Sequence, residues 1–163
     1  MGSPNHYRWL WISLVIFALD RATKLAVERL TPEGHLRPLL DGFLNFVHTH
    51  NPGIAFGLFA DSPSKWQTAL LAVSAAGVVL LLGWALATGR AGGTRSQVAL
   101  SCILGGAAGN LADRLLHGSV IDFIDVHWRG YHWPAFNVAD SAITVGALLL
   151  ALDLVLPRRS SSN

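Results

Sequence analysis

The chain of 163 residues is 52% hydrophobic and 13% charged, with a mean hydropathy of +0.42. A soluble domain carries roughly 25% charged residues, so the deficit excludes an ordinary soluble globule and points to a membrane protein of one domain, 1–163. A net charge of +2 with no basic stripe argues against nucleic-acid binding, and a single cysteine, Cys102, rules out an internal disulfide or a cysteine-rich metal site.

Four apolar runs stand out, at about 9–26, 66–87, 98–116 and 138–156. Each approaches the roughly 20 residues that a helix needs to cross the hydrocarbon core. The expected fold is therefore an α-helical integral membrane protein with four spans. The first run is not read as a secretory signal, because no small-residue cleavage site follows it and Asp20, Arg21 and Lys24 interrupt its end. Arg8, Arg90, Arg95, Arg158 and Arg159 fall on one side of the spans, and Arg37, Lys65 and Arg129 on the other, where the loops are longer. The positive-inside rule then places both termini and the 89–94 loop in the cytoplasm. Trp9, Trp11 and Trp84 mark the inner interface, and Trp66, Trp128 and Trp133 the outer one. With this orientation the polar residues of spans one, three and four are expected to converge on the outer leaflet, where an ionisable group is by default a functional-site candidate.

In chain order, Asp20 and Lys24 are four apart and share a helix face, as a functional pair or as a charge pair at the membrane edge. Arg21 and Arg29 are expected to point elsewhere. Residues 31–65 are too long for a simple connector. Strand formers at 43–50, the turn Asn51-Pro52-Gly53 and a second apolar run at 54–59 predict a small outer sheet. Asn51 is either a ligand, since its amide both donates and accepts, or a turn former before proline. His48 and His50 alternate, and with His127 and His132 they raise a metal site. Exposed loop histidines are common, and the reading assigns no metal. The second span is scaffold. In the third, Gly105 and Gly109 invite close helix approach. Asn110 and Arg114 share a face, Asp113 is an internal partner for Arg114 or a neighbouring span, and Cys102 is inert packing. Residues 119–128 read as extended and lie in an outer loop of about 117–137. There Asp122 shares a face with Val120 and Ile124, and Asp125 and His127 look to solvent. Asn137 sits where an N-cap belongs, Asp140 lies in the first turn of the last span, and Asp153 would pair with Arg158 or Arg159.

These residues carry a resemblance. Asp20-Arg21-Ala22-Thr23-Lys24 resembles the D-x-x-T-K box of the bacterial lipoprotein signal peptidases, the type II signal peptidases. Asn51-Pro52-Gly53-Ile54-Ala55-Phe56-Gly57 resembles their N-x-G-x-A-F-G box. The run Gly105-Gly106-Ala107-Ala108-Gly109-Asn110-Leu111-Ala112-Asp113-Arg114 resembles G-G-A-x-G-N-x-x-D-R. Val120-Ile121-Asp122-Phe123 and Phe136-Asn137-Val138-Ala139-Asp140 are similar to the two boxes that hold catalytic aspartates. Each box alone is weak. Five in order, from the first span to the last and with no departure, are specific.

The resemblance implies an aspartyl endopeptidase of the bacterial inner membrane. It would remove signal peptides from diacylglyceryl-modified prolipoproteins at the lipobox cysteine. Four helices would carry a periplasmic sheet cradle and a periplasmic loop. Asp122 and Asp140 would be catalytic, and Asp20, Lys24, Asn51, Gly53, Asn110, Arg114 and Asn137 would bind substrate or support the site. The expected partners are the prolipoprotein and membrane lipids, with no cofactor, metal or nucleic acid, and the chain would act as a monomer. A carboxylate pair suits the chemistry. One takes a proton from water while the other, protonated, polarises the scissile carbonyl. The residues by themselves also admit a small transporter or channel using the same cluster, although the cytoplasmic half of the spans offers little besides Ser74, Ser101 and Asp153. A structural subunit stapled by its acids is a third reading.

Overall fold

Leucine, isoleucine and alanine dominate 10–30, and neither glycine nor proline interrupts them. This stretch forms helix α1, Leu10–Leu30, entered through a 3-10 turn at His6–Trp9. The helix outruns the apolar run that ends near 26, because Glu28 and Arg29 propagate a helix as well as apolar residues do. It stops at Thr31, whose backbone N–H and hydroxyl both bond the Val27 carbonyl (3.0 and 2.6 Å) just before Pro32. The computed structural model describes residues 6–53 and 65–155; the apolar run at 54–59 lies outside them.

Strand β1, Leu36–Leu40, turns through Gly42, at φ +74°, into β2, Leu44–Asn51. Helices α2, Lys65–Ala87, and α3, Thr94–His117, follow. Helix α3 ends on Gly118 in the left-handed conformation, with its N–H on the Arg114 carbonyl at 3.1 Å. Then come β3, Val120–Trp128, the two-residue β4, Tyr131–His132, and α4, Val138–Val155. The four strands form one antiparallel sheet in chain order. Beyond β4 the chain returns beside β3. The Phe136 carbonyl accepts from Phe123 and Ile124 (3.1 and 2.9 Å), and the Phe136 N–H bonds the Ile124 carbonyl at 2.9 Å. This tie brings the start of α4 against Asp122.

Helix α3 is the hub, packed on α1, α2 and α4. Glycines permit the close approach. A Cβ on Gly105 would lie 2.7 Å from the Ser13 carbonyl of α1, and one on Gly106 would overlap the Ala139 carbonyl of α4. Residues 66–87 of α2 and all of α4 are long and apolar enough to cross a membrane. Helices α1 and α3 have the length but carry more charge. Much of that charge faces inward: Asp20, Lys24 and Asp113 are fully buried, while large apolar side chains such as Leu14, Leu19, Leu80 and Leu148 are exposed. At the end away from the sheet the core is apolar, around Leu86, Ala91 and Leu104. At the sheet end it is polar.

Candidate active site

The polar core is built in two layers. In the outer layer stand the two carboxylates, Asp122 on β3 and Asp140 in the first turn of α4. Asn137 precedes α4 and caps it: its Oδ1 accepts from the Asp140 N–H at 3.0 Å, and Asp140 Oδ2 accepts from the Asn137 N–H at 3.3 Å. This reciprocal pair is a capping box written with Asn and Asp. The same Asn137 donates through Nδ2 to Asp122 Oδ1 at 2.7 Å, with the Asn110 side chain and the Ile121 carbonyl close by at 3.3 and 3.2 Å. Asn51 Nδ2 donates to the other Asp122 oxygen at 3.1 Å, and Asn110 Nδ2 to Asp140 Oδ1 at 2.7 Å. Among the described residues no hydrogen bond joins the carboxylates directly; Asn137 touches both. The Asp122 carboxyl is raised from 3.8 to about 7, first by burial and then by the Asp140 charge, against the opposing hydrogen bonds from Asn51 and Asn137.

The inner layer is charged and closed. Lys24 Nζ lies 2.9 Å from Asp20 Oδ2, Asp113 Oδ2 and Asn110 Oδ1, with all of Asp20, Lys24 and Asp113 out of solvent. Asp20 Oδ1 accepts the Ala139 N–H at 3.0 Å, and Asp113 Oδ2 accepts the Ile121 N–H at 3.2 Å. The layer therefore grips the residue next to each outer carboxylate. An ammonium between two carboxylates meets the condition for burying charge, since every ion is paired. Arg114 bonds the Asn110 carbonyl at 3.3 Å, while its Nε is buried with no partner. Gly53, at φ +95°, donates its N–H to Asn51 Oδ1 at 2.9 Å and so orients that amide.

The nine expected site residues thus lie in one connected cluster. Asp113 was expected only as an internal partner, and the partner is the neighbouring helix α1. Arg21 corrects an expectation: it does not point away but forms an ion pair with Asp113. The signal was its spacing of three from Lys24, which puts both on one helix face. Asp125 is a second correction. It is buried, holding Asn45 Nδ2 at 2.7 Å and His132 Nδ1 at 2.9 Å. Alternation gives the face but not its cover: Asn45, directly opposite on β2, and His132 of β4 close over the carboxylate. The histidines do not form one group. His48 bonds the Thr31 carbonyl at 2.9 Å, His50 bonds Ser119 at 3.0 Å, and His127 stacks on His132; the described residues hold no set of three or more metal-ligating side chains. Asp153 accepts from Ser96 at 2.5 Å; the expected partners Arg158 and Arg159 lie outside the described residues.

A helical bundle with two membrane-length apolar helices, a small sheet and a buried polar centre defines a membrane enzyme, and solved structures agree. A bacterial membrane enzyme determined by the in meso method at 2.3 Å resolution superposes with a TM-score of 0.78 at 28% identity, covering 96% of this chain and 94% of that one. Residues 12–156 match the family model for signal peptidase II. The lipoprotein signal peptidase of Solibacter usitatus is 45% identical over 152 residues, 93% of each chain. That of Pseudomonas putida is 43% identical over 162 residues, 98% of this chain and 93% of the relative. The chain belongs to the signal peptidase II family, and it is a membrane peptidase rather than a transporter or a structural subunit.

Proposed function

We propose that this protein is an aspartyl endopeptidase that removes the signal peptide from diacylglyceryl-modified prolipoproteins at the lipobox cysteine. The observation that carries the reading is the pairing of Asp122 and Asp140 across one asparagine, in a buried centre at the sheet end of the bundle. The relatives are named lipoprotein signal peptidases, which supplies the substrate class. Their environments divide the roles. Asp122, raised to about 7, holds its proton in a substantial fraction of molecules at neutral pH and, when protonated, hydrogen-bonds the scissile carbonyl oxygen. Asp140 accepts hydrogen bonds from Asn110 Nδ2 and the Asn137 N–H and, as the base of the pair, takes a proton from the attacking water. Water adds to the carbonyl carbon, the C–N bond breaks, and the proton on Asp140 passes to the leaving amine. The Arg114 guanidinium, with Nε unspent, and Asn51 hold the peptide.

Four spans, cytoplasmic termini, a periplasmic site and a monomer complete the proposal. The inward charges of α1 and α3 support the span count, since pairing them inside leaves apolar surface for lipid. The test uses purified protein in bilayers with a diacylglyceryl-modified precursor and a gel assay for the released signal peptide. Cleavage is expected from the wild type, with a loss of several orders of magnitude in Asp122→Asn and in Asp140→Asn. Substantial turnover in either variant, properly inserted, would sink the dyad.

A further inference from the structure

Between the last turns of α1 and the sheet runs a groove of about 500 Å³. Ala26, Val27 and Leu30 form one wall, and Leu44, Phe46 and Phe123 the other. Its few polar neighbours have their donors committed elsewhere. The Thr23 hydroxyl bonds the Leu19 and Asp20 carbonyls, the Thr31 hydroxyl bonds Val27, and Asn45 Nδ2 bonds Asp125. Water filling such a space would find almost no partner, and a peptide would find few donors. Beside the groove, the β1–β2 hairpin exposes Leu39, Leu40 at 57% and Phe43 at 51%, and the end of α1 exposes Leu30 at 80%. The β3–β4 hairpin lies against the same tip, with the His127 N–H on the Phe43 carbonyl at 2.8 Å, and it exposes Trp128, Tyr131 and Trp133. Leucines at a tip with tryptophan and tyrosine beside them have the composition of a membrane interface.

We propose that the β1–β2 hairpin is a membrane anchor, its tip entering the bilayer beside α1, with one hydrocarbon chain of a bilayer phospholipid in the groove between them. The surface is continuous with the exposed flank of α1 at Leu19 and Leu25, which belongs to the membrane-facing side of the bundle. Phospholipid is the occupant rather than the substrate's own acyl chain because none of the nine site residues, Asp122 and Asp140 included, lines the groove. The anchor is independent of the proposed chemistry. It fixes the height of the sheet, and with it the height of Asp122, relative to the leaflet.

Two measurements test this in phosphatidylethanolamine–phosphatidylglycerol vesicles. Spin labels at Leu40→Cys and Phe43→Cys, in a Cys102→Ser background, are expected to relax faster with oxygen than with a water-soluble nickel chelate. Faster relaxation with the chelate at both sites overturns the anchor. For the wild-type chain, a phospholipid bearing a diazirine in its acyl chain is photolysed without substrate. Lipid adducts are expected on peptides covering 23–31 and 44–46. Adducts confined to α2 and α4, adducts at the groove only from a substrate-borne chain, or cross-links between two protein chains would each overturn the assigned occupant.

Discussion

Asp122 has its two oxygens held by two different asparagines, and that division sets its behaviour with pH. Its folded value of about 7 exceeds the ordinary 3.8, so the native state holds the proton more tightly than the unfolded chain does. That stabilisation is complete below pH 3.8 and lost as pH rises through 7, where ionising the buried group costs roughly 4 kcal/mol. Asparagine carries no such penalty. Asp122→Asn is therefore expected to gain thermal stability relative to the wild type between pH 4 and pH 8 while losing activity; a difference in Tm that does not change with pH would contradict the protonated carboxyl. As the proposed acid of the pair, Asp122 is expected to place the alkaline limb of the rate profile near 7, with the acid limb set by protonation of the base. The Asn51 amide touches Asp122 and pulls its pKa down. Asn51→Ala is expected to move the alkaline limb upward, an effect that loss of substrate contact alone does not produce.

At the scale of elements, the site depends on how closely α1, α3 and α4 approach. Gly109 faces the Asp20 carboxylate so tightly that an added methyl would overlap it, whereas nothing lies within 4 Å of a Cβ on Gly77. Gly109→Ala is expected to cost about 1–3 kcal/mol by displacing Asp20, and Gly77→Ala to be neutral; equal melting temperatures for the two variants in detergent would refute the packing described. Lys24 joins α1 to α3 between two buried acids. Removing one partner of a buried ionic group leaves uncompensated charge, so Lys24→Met should lose about 3–5 kcal/mol. A variant that melts like the wild type would show that the acids find other partners.

For the whole molecule, the proposed catalysis by two carboxylates requires no metal. Activity should survive dialysis against a strong chelator, and a loss restored by zinc would return attention to His48 and His50. Much of this protein was legible in the chain alone. Apolar runs located the helices to within a few residues, because helix length and hydrophobicity are local properties. The interrupted spans marked the end where the polar groups gather, and five boxes identified the family. What the sequence could not decide were the partners of individual side chains. Arg21 and Lys24 are both cations on one helix face, and only the approach of α3 assigns Arg21 to Asp113 alone and Lys24 to Asp20 and Asp113 together. Alternation sends Asp122 and Asp125 to opposite faces of β3, yet both are buried, Asp122 against Asn51 and Asn137 and Asp125 against Asn45 and His132. Residue type and spacing determine helices and motifs because they act through neighbours in the chain. Which carboxylate meets which amide depends on distances between segments up to 119 residues apart, and only the tertiary structure holds those distances.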